Sequence, residues 1–150
     1  MEVDLGGMND SLGFLLRLAQ IDAFDRFFAK GDLSELGLGE ISILRGIGLN
    51  PGVRQGVLAL ALRIKRAHMT KIIKAMEGRG WVRSAVPVED RRAVTLWLTG
   101  AGQDWLDRHW PEVEAREALV PQGMAAADAA QLKHLLRRFV ALNVLEEVNP

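Results

Sequence analysis

Nine of the nineteen Lys and Arg residues fall between positions 63 and 92: Arg63, Lys65, Arg66, Lys71, Lys74, Arg79, Arg83, Arg91 and Arg92. Only three carboxylates share that stretch, Glu77, Glu89 and Asp90, a balance of +6. Residues 1–62 and 93–150 each hold five basic and eight acidic residues, a balance of −3, so a neutral chain carries one concentrated basic block. A polyanion feels such a block locally, because physiological salt screens fields beyond about 8 Å. A charge cluster is most often a solvated face, so spacing must decide. Within residues 66–78, Met69, Ile72, Ile73 and Met76 recur at i, i+3, i+4 and i+7, the apolar stripe of a helix. That stripe turns Arg66, Ala67, His68, Thr70, Lys71 and Lys74 outward. Arg66 and His68, at the N-terminal end, suit base edges in a major groove of duplex DNA, where a helix leads with its first residues. Thr70 can donate to a phosphate or touch a thymine methyl, and Lys71 and Lys74 suit phosphates as mobile point charges. Further on, Asp90 and Arg92 stand two apart and share one side of a polar turn. Arg92 then reads as a minor-groove or phosphate contact with Asp90 as its orienting partner, and Arg91 adds phosphate charge.

Other chemistries lack their parts. There is no Cys and no Tyr, so disulfides, thiolate metal sites and thiol redox sensing are excluded. Of the three His residues, only His109 has carboxylates close by, Asp104 and Asp107, and no second cluster completes a metal site. Gly78-Arg79-Gly80 reads as a helix stop rather than a phosphate loop, and Gly-x-Ser-x-Gly is absent. The expectation is a protein that is not an enzyme and has no cofactor and no metal.

The elements that must position these residues follow from periodicity. With 150 residues, 49% hydrophobic and 25% charged, the chain reads as one globular domain over 1–150. The N-terminal MEVDLGGMND has no apolar core of a signal peptide, and no run suffices for a membrane span, so a cytoplasmic protein is expected. Residues 10–29 read as a helix capped by Asp10 or Ser11, with a broad apolar face from Leu12 to Phe28 that its own domain or a partner must cover. Residues 39–49 form a shorter helix, stopped by Asn50-Pro51-Gly52. Residues 53–62 form another, and 66–78 resume helical spacing. Two short helices joined by a tight turn, the second basic, have the outline of a helix-turn-helix. Residues 81–98 change to the period of strands, with a turn at 87–91 and alternation through Val94, Leu96 and Leu98. Thr99 caps a helix that runs past Trp105 and is kinked at Pro111. A last helix, from about Asp128 to Val148, places Leu132, Leu135, Phe139 and Leu142 at the 3-4-3 spacing of a helix–helix seam. The fold class is mainly α with a small β-hairpin wing.

Residues 51–102 resemble the MarR family of bacterial regulators. The resemblance runs through Pro51-Gly52, Gln55, Leu58-Ala59, Leu62, Ile64, Thr70, Met76-Glu77, Gly80 and Val82. It ends with Asp90-Arg91-Arg92, Val94, Leu96 and Leu98-Thr99-Gly100-Ala101-Gly102. It implies a winged helix-turn-helix over about 39–98, with dimerisation helices at about 10–29 and 100–148. It further implies a homodimer on a pseudo-palindromic double-stranded DNA operator, usually as a repressor released by a small-molecule effector. The effector would lie between the dimer helices and the winged lobe, against Phe24, Phe28, Trp105 and Trp110, with Arg17 or Asp22 as polar handles. The chain departs from the family pattern at Lys65, where a Ser or Thr cap is frequent, at Arg63 in the turn, and at Val57. The missing cap before Arg66 keeps a second reading in play, a winged protein-interaction module without DNA binding that uses its basic face for an acidic protein partner.

Overall fold

The computed structural model describes residues 3–29, 33, 36–88, 90, 93–121 and 123–142. The chain divides into two compact units, residues 1–113 and 114–150. In the first, a 3-10 turn at Gly6–Asp10 leads into α1 (Leu12–Phe28). Asp10 closes that turn rather than capping the helix. Ser11 takes the N-cap position, and its carbonyl accepts the Leu15 N–H at 2.9 Å. Phe27 is the buried residue of α1, whereas Leu12, Leu15, Leu18, Ile21 and Phe24 stay exposed. α2 (Leu38–Leu49) starts where the Glu40 carboxylate accepts the Gly37 N–H. It ends at Asn50, whose side-chain amide donates to the Gly46 carbonyl at 2.9 Å.

The stretch read as a helix over 53–62 begins instead as a strand. Val53 and Arg54 form β1, antiparallel to β3 (Thr95–Leu98) with Val53 opposite Leu96 and Arg54 opposite Thr95. Gly52, at φ +81°, turns the chain so that its N–H reaches the Leu96 carbonyl and the Gln55 N–H reaches that of Val94, both at 2.8 Å. Distant pairing therefore overrides local helical spacing. α3 (Gln55–Ala61) follows, then a turn through Arg63 at φ +53° in which the Ile64 N–H donates to the Ala59 carbonyl at 2.8 Å. α4 spans Arg66–Gly78. β2 (Val82–Ala85) pairs with β3 in the register Val82 to Leu98 and Ala85 to Thr95, so the expected hairpin belongs to a three-stranded sheet ordered β1-β3-β2.

These elements close around Ile41, Leu44 and Ile47 of α2, Leu58 and Ala59 of α3, Met69, Ile73 and Met76 of α4, Val82, Leu96 and Leu106, all buried. Complete burial of each large aliphatic side chain stabilises by about 1.5–3 kcal/mol, so the core fixes the helix-turn-helix on the sheet. α5 (Gly100–Glu117) carries Pro111 in its interior and continues past it. Its start is clamped. Thr99 Oγ1 accepts the Gly102 N–H at 3.1 Å and donates to the Gly80 carbonyl at 2.5 Å, and the Thr99 N–H donates to the Trp81 carbonyl at 2.9 Å. Gly102 sits so close to Trp81 that an added Cβ would lie 2.0 Å from its carbonyl oxygen.

In the second unit, α6 spans Ala126–Phe139 and ends well short of the expected Val148. Ala141 adopts φ +53°, its N–H donates to the Arg138 carbonyl, and the Leu142 N–H donates to that of Arg137. This paired closure satisfies the last carbonyls and stops the helix. Leu132, Leu135, Phe139 and Leu142 are exposed, while Leu145 and the end of the expected helix lie outside the described residues.

Candidate nucleic-acid interface

α4 divides as its spacing requires. Met69, Ile73 and Met76 are buried and Ile72 is half-buried, whereas Arg66, Ala67, His68, Thr70, Lys71 and Lys74 are all exposed. Lys65 occupies the N-cap position without a side-chain cap, and the first backbone bond of the helix is Met69 N–H to the Lys65 carbonyl. The N–H groups of Arg66, Ala67 and His68 precede it and have no acceptor within the helix. Three donors, the positive helix end and an Arg side chain thus meet at one exposed place, an arrangement that suits an anion. Among the described residues, Arg66, His68, Lys71 and Lys74 take part in no ion pair.

Thr70 is tied on two sides. Its hydroxyl donates to the Arg66 carbonyl at 3.0 Å and accepts from Gln55 Nε2 at 3.0 Å. The expected donation to a phosphate would need a proton that Thr70 has already placed. Gln55, the first residue of α3, links the two helices of the motif, a role that its place in the sequence motif does not announce.

The wing is joined to the rest by side chains. Asp90, in the loop between β2 and β3, lies 3.6 Å from the guanidinium of Arg54 on β1. Arg91 and Arg92, and with them the expected Asp90–Arg92 pairing, lie outside the described residues. Glu77 near the end of α4 accepts both the backbone N–H and the hydroxyl of Ser84 on β2, at 3.0 and 2.5 Å. Between α3, α4 and the wing loop lies a recess of about 470 Å³, lined by Arg54, Gln55, Val57, Leu60, Arg66 and Thr70, and by Asp90 of that loop. Not every cation of the block faces outward alone. Arg79 lies over the Trp81 ring at 5.1 Å and Arg83 over that of Trp97 at 4.4 Å. Arg54 lies outside the basic block in sequence, and only the fold brings it beside Asp90.

Of the six residues nominated for an effector, Phe28, Trp105 and Trp110 pack half-buried against the core, and Arg17, Asp22 and Phe24 lie along α1. Arg17 and Phe24 are exposed, and Asp22 pairs with Arg26 one turn along α1. Phe28 packs edge-on against Phe27, with centroids 5.0 Å apart. Trp105 stacks on His109 and lies at a tilt against Trp81. Trp110 lies under the Arg45 guanidinium at 4.1 Å, with its indole N–H buried and unpartnered. None of the six lines either described recess. Asp107 accepts from Gln103 at 2.7 Å, and His109 Nδ1 meets the Trp105 carbonyl at 2.8 Å. Among the described residues no group of three His, Asp or Glu side chains is placed to hold a metal.

A helix-turn-helix backed by a small sheet, with a polar second helix open at its N-terminus, defines a winged helix-turn-helix transcriptional regulator. The MarR family profile matches residues 36–94. A Thauera aromatica protein named for transcriptional regulation of the hcr operon is 32% identical over 135 residues, 89% of this chain and 81% of that one. The homoprotocatechuate degradative operon repressor of Escherichia coli is 30% identical over 135 residues, 90% and 91% of the two chains. Among solved structures, the transcriptional repressor CouR bound to a 23-mer DNA duplex superposes with a TM-score of 0.82 at 27% identity, over 93% of this chain and 99% of that one. The chain belongs to the MarR family, whose named relatives here are regulators and not enzymes.

Proposed function

We propose that the protein is a repressor that binds a pseudo-palindromic operator in duplex DNA as a homodimer and is released by a small-molecule effector. The observation that carries this reading is the exposed face of α4. Arg66 and His68 stand at its open N-terminus and Lys71 and Lys74 lie along it, beside the wing loop that holds Asp90. Arg66 and His68 meet base edges, and the lysines and wing arginines Arg91 and Arg92 meet the phosphate backbone. Exposed leucines and aromatics on α1, and separately on α6, supply the apolar surface that a second copy covers. Among the described residues no helix is long and apolar enough to cross a membrane. Two relatives named above are repressors, one of them bound to DNA.

The test is a selection of genomic fragments on the purified full chain, followed by titration of the selected duplex across salt concentrations. A short inverted repeat with half-sites about 34–36 Å apart is expected. Binding should fall steeply with salt as counterions are released. Enrichment of no fragment, with retention of the fold, would favour the interaction module without DNA binding.

A further inference from the structure

Thr70 is exposed, yet its one proton is spoken for. A hydroxyl has one proton, and this one goes to the Arg66 carbonyl while the oxygen accepts from Gln55 Nε2. Thr70 therefore has no donor left for a phosphate or for a base acceptor, and its γ-methyl is the group that takes part in none of these bonds. The wall beside it is apolar as well. Val57 is 57% exposed and Leu60 80% exposed, and both line the recess that Arg66 and Thr70 line. Phosphates give such side chains nothing to bind. The major-groove edge of DNA carries one apolar group, the C5 methyl of thymine.

We propose that Thr70 and Val57 form an apolar reader for a thymine methyl within each half-site, next to the base contacted by Arg66. Gln55 acts as a positioning residue: by occupying the Thr70 oxygen it sets which face of that side chain meets the groove. The proposal rests on the DNA-binding reading given above.

The experiment uses the full chain and its selected operator duplex, alongside duplexes in which each thymine in turn is replaced by deoxyuridine, which removes only the methyl. The wild-type chain is expected to lose about four-fold in affinity at one symmetry-related pair of positions, the effect of uncovering one methyl group. Thr70→Ser keeps the hydroxyl and both its hydrogen bonds. It should bind the thymine duplex more weakly than the wild type does, and should tell the two duplexes apart less well, with Val57 left as the only apolar part of the reader. Gln55→Ala should lower the thymine-to-uracil ratio while its circular dichroism is unchanged, an effect that a purely structural role would not produce. A wild-type chain indifferent to every deoxyuridine, or a Thr70→Ser chain with undiminished discrimination, overturns the proposal. Either result arises with DNA binding intact, whereas a wild type that binds no duplex removes the DNA-binding reading itself and this proposal with it.

Discussion

Two side chains five residues apart on α4 should fail in different ways. Arg66 sits at the open end of the helix and Lys71 further along, both exposed. If Arg66 reads a base, Arg66→Ala should relax preference at one operator position by about 1–3 kcal/mol and leave binding to random DNA nearly unchanged. If Lys71 neutralises a phosphate, Lys71→Ala should weaken binding to all sequences alike and reduce the slope of log affinity against log salt by about 0.9. Affinity titrations on operator and random duplexes at four salt concentrations separate the two, and equal loss of Arg66→Ala on both duplexes would contradict its base contact. The outward set on α4 was legible in the sequence because Met69, Ile72, Ile73 and Met76 mark the opposite face by spacing alone. The engagement of Thr70 was not, because Gln55 lies 15 residues away and reaches it only once α3 and α4 are packed. The Arg54–Asp90 pair was hidden for the same reason.

Among elements, α4 was read to the residue, Arg66 to Gly78, since its stripe and the following Gly80 agree. Two others were misread for opposite causes. Val53 and Arg54 carry no strand signature of their own and become β1 through pairing with Leu96 and Thr95. α6 keeps an apolar period toward Leu145, yet the chain closes at Ala141, a residue whose type gives no stop signal. Holding Ala at φ +53° opposes the steric preference of an L-residue by about 1 kcal/mol. Ala141→Gly should therefore stabilise the end of α6 by about that amount, seen as roughly five-fold slower amide exchange in its last turn. Gly102 makes the contrary case. With a Cβ forced to 2.0 Å from the Trp81 carbonyl oxygen, backbone must move. Gly102→Ala should destabilise the first unit by about 3 kcal/mol, lowering the midpoint of thermal unfolding by roughly 10 °C.

For the whole molecule, neutrality conceals division of labour: +6 over residues 63–92 and −3 on either side. Apolar exposure is divided too, since α1 and α6 present leucines and aromatics that the described chain leaves uncovered. If a second copy covers them, Leu135→Glu should give a monomer by light scattering. Its affinity for the full inverted repeat should then drop on the order of a hundred-fold or more, because the two half-sites are no longer bound together. A dimer that persisted with full affinity would place the seam elsewhere. The clamp at the start of α5 bears on how any signal reaches the wing. The Trp81 backbone rests on Gly102 with no room for one carbon, and Thr99 grips Gly80 and Trp81. The first turn of that helix is thus a handle without play on the root of the hairpin. A tilt of that handle carries the start of β2 with it.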